Sequence, residues 1–225
     1  MKDHMNIEKN RVALRVWGDF ACFTRPEMKV ERVSYDVMTP SAARGVLEAI
    51  YWKPAIRWVV RRIHVLKPIR FTNVRRNELG GVGPSDRTLK SYLDGSKTTS
   101  LAQVIEDDRQ QRAATILQNV DYLIEAHYEV IRGNEPPQKH YEMFRRRAIK
   151  GQCFHHPYLG CREFVADFEW HEGDPPAGFE HAERDLGFML HDIDFANDMT
   201  PKFFRACMVN GVVEVPAFKS SEVKG

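Results

Sequence analysis

The sequence predicts an α+β fold of the ferredoxin-like type. This is an antiparallel sheet with two helices on one face and a β-rich insertion, followed by a small C-terminal antiparallel sheet. Three observations carry the expectation. Over residues 11–172 the periodicities run strand, helix, strand, insertion, strand, helix, strand. Both helical segments begin at a proline signal, Thr39-Pro40 and Pro136-Pro137. Beyond a Gly/Pro-rich linker at 171–179, three short apolar segments surround the hairpin dipeptide Asn210-Gly211. The expected domains are therefore 11–172, with an insertion at about 69–118, and 180–217.

Residues 11–18 alternate, with Val12, Leu14 and Val16 on one side and Arg11, Ala13 and Arg15 on the other, as in a half-buried strand. Residues 19–36 keep no period and read as a loop with Phe20 and Phe23 folded back onto the domain. At Thr39-Pro40 a capping hydroxyl precedes a proline suited to the first helical turn. Ala43, Val46, Leu47 and Ile50 then recur on one helical stripe. The helix ends at Tyr51-Trp52, because Lys53 precedes Pro54 and is pushed out of helical angles.

Residues 56–65 are β-branched and read as a second strand, with Arg57 and Arg61 on one face and Trp58 and Val60 on the other. Lys67-Pro68 breaks it, and 69–76 forms a projecting strand with Arg70, Arg75 and Arg76 exposed. The glycines of 80–85 lack the Lys-Ser/Thr of a phosphate-cradling loop. Residues 86–108 are polar and read as mobile, and 110–118 fits helix or strand. Val120, Tyr122, Ile124, Ala126, Tyr128 and Val130 alternate strictly, the clearest strand of the chain. The helix after Pro136-Pro137 runs to Lys150 and is closed by Gly151. Phe164, Ala166, Phe168 and Trp170 mark a fourth strand, and 186–195, 203–209 and 212–215 the C-terminal sheet.

Composition narrows the function classes. No run approaches the ~18 apolar residues of a membrane span, and the polar residues 1–10 are not a secretory signal. Four scattered cysteines make no disulfide framework, so a reducing cytoplasm is the expected setting, with no membrane partner. The net charge is only +2 but is unevenly spread. Residues 41–90 hold eleven Lys/Arg against three Asp/Glu, whereas 160–200 hold two against eleven. The basic sector suits nucleic acid, single- or double-stranded, since releasing counterions from phosphates drives binding.

The helix start Gln138-Lys139-His140 places a fixed cation beside a titratable ring, where unpaired N–H groups add partial positive charge. Arg145, Arg146 and Arg147 extend that potential, so the stretch is suited to holding a polyanion. Cys153, His155, His156 and Cys161 are zinc-ligand types, but their spacing includes no CxxC pair, and no metal is assigned. Cys22 and Cys207 read as small buried hydrophobes. No Gly-x-Ser-x-Gly is present for a serine nucleophile. Trp52 and Tyr51 suit the core, or stacking on unpaired bases.

Four stretches in register add a family resemblance. Ala49-Ile50-Tyr51-Trp52-Lys53-Pro54 is followed by Val65-Leu66-Lys67-Pro68-Ile69-Arg70-Phe71. Asn119-Val120-Asp121-Tyr122-Leu123-Ile124-Glu125-Ala126-His127-Tyr128 and Lys139-His140-Tyr141 continue it. Together they resemble the CRISPR-associated Cas-five family of the type I-C (Dvulg) subtype, across most of residues 11–170. The resemblance implies an RRM-like fold of the RAMP superfamily and metal-independent cleavage of CRISPR precursor RNA. It also implies retention of the mature guide's 5′ handle in a Cascade complex with backbone and large subunits. It places the family's catalytic tyrosine, lysine and histidine on Tyr51, Lys139 and His140, with no cofactor. Arg57, Arg61, Arg70, Arg75, Arg76 and Arg145–Arg147 are the expected RNA contacts. The glycine-rich C-terminal loop of many RAMP proteins is not evident here, so no RNA contact is placed on one.

The chemistry is coherent in itself. A ribose 2′-OH attacks the adjacent phosphate and leaves a 2′,3′-cyclic phosphate and a 5′-OH, histidine moves protons, and lysine meets the growing charge. Which of Tyr51 and His140 is base and which is acid stays open at this level. The competing expectation is a non-catalytic subunit that binds the guide while another nuclease cuts.

Overall fold

The structure, a computed structural model, describes residues 10–28, 30–81, 83–97, 101, 104, 106, 108–179 and 182–225. The polar N-terminal nine residues and part of the 86–108 segment lie outside that range.

Strand β1 (Arg11–Ala21) leads to helix α1 (Pro40–Ile50), then β2 (Ile56–Val65), β3 (Phe71–Leu79) and helix α2 (Asp86–Leu93). Strand β4 (Arg109–Val130), helix α3 (Pro137–Ile149) and β5 (Asp167–Trp170) complete the ferredoxin-like unit. Strands β6 (Glu183–Asp194), β7 (Thr200–Val209) and β8 (Val212–Glu214) follow. The sheet order is β5-β1-β4-β2-β8-β7-β6, with β3 also paired to β4. Every pair of named strands is antiparallel, and the first four positions reproduce the ferredoxin-like order.

The apolar face of the sheet carries Leu14, Val16, Ile63 and Ile124, all inaccessible to solvent. Helix α1 covers it with Ala43, Val46, Leu47 and Ile50, and the Thr39 side chain accepts from the Ala42 amide as the expected cap. Helix α3 adds Phe144 against Trp58, ring centroids 4.7 Å apart, and so both helices lie over one face.

Several expectations are corrected. β1 runs on through residues 19–21, and Phe20 is exposed while Phe23 is buried. The segment read as mobile begins as helix α2, whose Ser85 hydroxyl accepts from Thr88 N. The ambiguous 110–118 stretch is strand, continuous with the alternating segment as the 22-residue β4. Asn119, at φ 52°, bends it where its partner changes from β3 to β2. Residues 109–113 are exposed or half-buried and burial begins only at Ala114, Ile116 and Leu117, so the alternation is too short to betray it. The fourth strand is only four residues, because the backbone of 157–166 turns back on itself through Ala166 N to Pro157 O.

The C-terminal strands make the expected meander about Asn210-Gly211, both at positive φ as a type I′ turn requires. Its last strand, β8, pairs with β2, Ile63 opposite Val213, so one hydrogen-bonded sheet joins the ferredoxin-like strands to the C-terminal ones. Arg44 on α1 forks onto Asp192 of β6 at 2.7 and 2.9 Å and ties the helix layer to these strands.

Candidate active site

Tyr51 is the residue at which α1 ends, and His140 lies in the first turn of α3. They are 89 positions apart in sequence, yet Tyr51 Oη and His140 Nδ1 are within hydrogen-bond distance at 2.9 Å. The sheet beneath sets this approach. Trp58 on β2 donates its indole N–H to the Tyr51 carbonyl at 2.9 Å. Tyr128 on β4 donates to the Pro137 carbonyl at 2.6 Å, holding the first turn of α3, and its ring stands edge-on to His140. Arg147, two turns along α3, donates to the Ile50 carbonyl at 2.7 Å and lies over the Tyr51 ring.

Around this buried pair are charges open to solvent. Lys139 is exposed, and its ammonium donates to Glu135 Oε1 at 2.5 Å. The other oxygen of Glu135 lies 3.6 Å from His140 Nε2. That nitrogen is buried and has no hydrogen-bond partner. Pro136, at the N-cap, offers no side-chain acceptor, so the positive end of α3 is uncapped by any side chain.

Electrostatics fix the protonation states. Burial lowers the proton affinity of His140, with Lys139 and Lys53 adding to the effect and Glu135 opposing it. Burial and Glu135 raise that of Tyr51, against Arg147 and Lys139. Lys139 is raised by its bond to Glu135. At neutral pH the site thus holds a neutral imidazole, an intact phenol and an ammonium.

The expected RNA-contacting arginines are not all brought to this place. Arg145 pairs with Glu172 at 2.7 Å, and Arg146 is exposed with no ion pair among the described residues. Arg57 lies on the face of β2 opposite Trp58, exposed and paired with Glu129 at 2.5 Å. Arg61 lies at a bulge of the same strand, exposed and without an ion pair among the described residues. Arg70 and Arg75 sit at β3, exposed and likewise unpaired, whereas Arg76 is half-buried against Glu163 and the Phe164 ring. The basic and acidic sectors therefore neutralise one another in part, as Arg44–Asp192 and Arg76–Glu163 show. Cys207 is half-buried with Glu183 at 3.4 Å, not a core residue. Cys161 approaches the Cys22 carbonyl at 3.6 Å, and no group of three metal-ligating side chains converges among the described residues.

Three members of this locale are not among the expected site residues: Lys53, Glu135 and Tyr128. Glu135 left one trace, its position four residues before Lys139.

A model of the family Cas_Cas5d, described as CRISPR-associated protein (Cas_Cas5), matches residues 12–216. The chain is 56% identical over 223 residues to the CRISPR pre-crRNA endoribonuclease Cas5d of Mannheimia succiniciproducens, covering 96% of this chain and 99% of that one. It is 42% identical over 234 residues to the protein of the same description from Thermus thermophilus, covering 95% and 94%. A solved structure described as that of a CRISPR-associated protein shares the fold, with TM-score 0.69 over 96% of each chain at 23% identity.

Proposed function

The chain belongs to the Cas5d family of CRISPR-associated proteins, and from that premise we propose that it is an endoribonuclease that matures CRISPR precursor RNA. Two relatives that match nearly its whole length are described as enzymes acting on that precursor. We infer further that Tyr51, Lys139 and His140 carry the reaction, and that the chain then stays on the 5′ handle of its product within a Cascade assembly. The observation that supports the site is the 2.9 Å approach of Tyr51 Oη to His140 Nδ1, with the Lys139 ammonium beside them.

The groups divide the work by their protonation. With its Nδ1–H donated to Tyr51, the neutral imidazole of His140 has its lone pair at Nε2 and takes the proton of the attacking 2′-OH there. The oxygen attacks phosphorus, the P–O5′ bond breaks, and a 2′,3′-cyclic phosphate and a 5′-hydroxyl result. The intact Tyr51 phenol has its own O–H to give toward the departing oxygen. Lys139 meets the negative charge that grows on the phosphate oxygens. Trp52, exposed next to Tyr51, is placed to stack on a flanking base.

Incubating the protein with its cognate repeat RNA in excess EDTA tests the reading. A product ending in a cyclic phosphate is expected, and its absence counts against the enzyme. His140→Ala should keep RNA binding and lose cleavage. Cleavage that persists in this variant would move the site elsewhere.

A further inference from the structure

The chemistry above makes no use of Glu135, yet its carboxylate reaches into the site. Oε1 accepts from Lys139 Nζ at 2.5 Å, while Oε2 faces His140 Nε2 at 3.6 Å. Lys139 Nζ is the group assigned to the substrate phosphate and Nε2 the one assigned to the adjacent 2′-OH, and Nε2 is otherwise buried without a partner. The uncapped start of α3 adds a third attraction for an anion at the same spot. With Tyr51 and His140 both inaccessible to solvent, no phosphate reaches Nε2 while this arrangement stands.

Glu135 is also easily moved. It is half exposed, in a loop of exposed residues from Arg132 to Pro136, with Gly133 in the left-handed region. An exposed ion pair contributes little, so a phosphate competing for the same ammonium can replace the carboxylate at small cost.

We propose that Glu135 is a displaceable stand-in for the scissile phosphate: its carboxylate closes the seat between Lys139 and His140 in the free protein, and RNA enters by expelling it. The proposal rests on the assignment of Lys139 and His140 to the reaction. It makes Glu135 a gate on substrate entry, with no part in bond breaking.

The full chain is tested with its repeat RNA in EDTA as Glu135→Gln, which keeps the size and drops the charge, and as Glu135→Ala. RNA affinity at fixed salt should tighten about two- to fivefold in both, the scale of an exposed ion pair removed. Inorganic phosphate should inhibit cleavage at several-fold lower concentration. The single-turnover rate at saturating RNA should stay within about twofold, since every group used in bond breaking remains. Affinity that is unchanged or weaker in variants with an unaltered melting temperature overturns the proposal. So does a tenfold or larger fall in the saturated rate, which would place Glu135 in the chemistry. If His140→Ala still cleaves, the assigned site is what fails. If it does not, and affinity ignores Glu135, only the gate fails.

Discussion

Replacing Tyr51 with phenylalanine removes one oxygen and leaves the ring in place under Arg147. The backbone carbonyl still accepts from Trp58, so the end of α1 keeps its anchor. What is lost is the 2.9 Å bond to His140 Nδ1. Because Nε2 already lacks a partner, the variant leaves a fully buried imidazole with no hydrogen bond at all. Orphaning one such buried polar atom costs about 1–3 kcal/mol. A melting entropy of ~2.1 cal/mol/K per residue gives ~0.5 kcal/mol/K for 225 residues, so a loss of about 2 kcal/mol lowers the melting temperature by about 4 °C. Cleavage should suffer far more. The phenol is both a proton donor and the group that orients the ring, and a positioned acid or base contributes about 10²–10⁴-fold. Single-turnover cleavage of repeat RNA, at saturating protein and well below the variant's melting temperature, measures that loss, with RNA affinity expected to hold within about twofold. A rate within threefold of the unsubstituted protein would show that the phenol at 2.9 Å serves packing alone.

Other expectations follow from the same geometry. His140 is held neutral below the usual ~6.5 of histidine, so the cleavage rate should rise with pH to an inflection under that value; an inflection above it would exclude His140 as the base. The same shift has a stability sign. Between the depressed folded-state pKa and ~6.5 the unfolded chain binds more protons, so stability present above ~6.5 is lost as pH falls through that window. His127, also lowered by burial, acts in the same direction, and melting scans from about pH 5 to about 8 read both. Arg44→Ala strands Asp192 in a mostly buried site and should cost about 2–3 kcal/mol in urea unfolding, with part of the loss recovered by adding Asp192→Ala. Arg61→Ala and Arg146→Ala should each reduce the log–log salt slope of RNA binding by ~0.7, if these unpaired cations touch phosphate. Arg57→Ala should change it less, its charge being already met by Glu129.

The elements with one wet and one dry side could be read from the chain alone. Val12, Leu14 and Val16 alternate because β1 has a single buried face, and the 43-46-47-50 stripe is dry because α1 lies on that face. The Thr39 cap, the Pro54 stop and the Asn210-Gly211 turn are local chemistry and appear where the residues put them. From these the ferredoxin-like order could be inferred. The helix start alone points to Lys139-His140, and the resemblance adds Tyr51 and joins the three, which no local pattern connects across 89 positions. Only the fold explains their meeting: α1 ends and α3 begins over the same two strands, pinned by Trp58 and Tyr128.

Contacts between distant segments belonged to the tertiary structure alone. Asn119 joins two apparently unlike stretches into β4, and β8 extends the sheet from the edge of β2. Arg44–Asp192 and Arg76–Glu163 cancel charges that look like separate basic and acidic sectors in the sequence. The physical reason is one of range. Periodicity and capping depend on neighbours within a turn or a strand. Whether a cation is free for phosphate, or a carboxylate lies over a histidine, depends on residues that the chain brings together only when it folds.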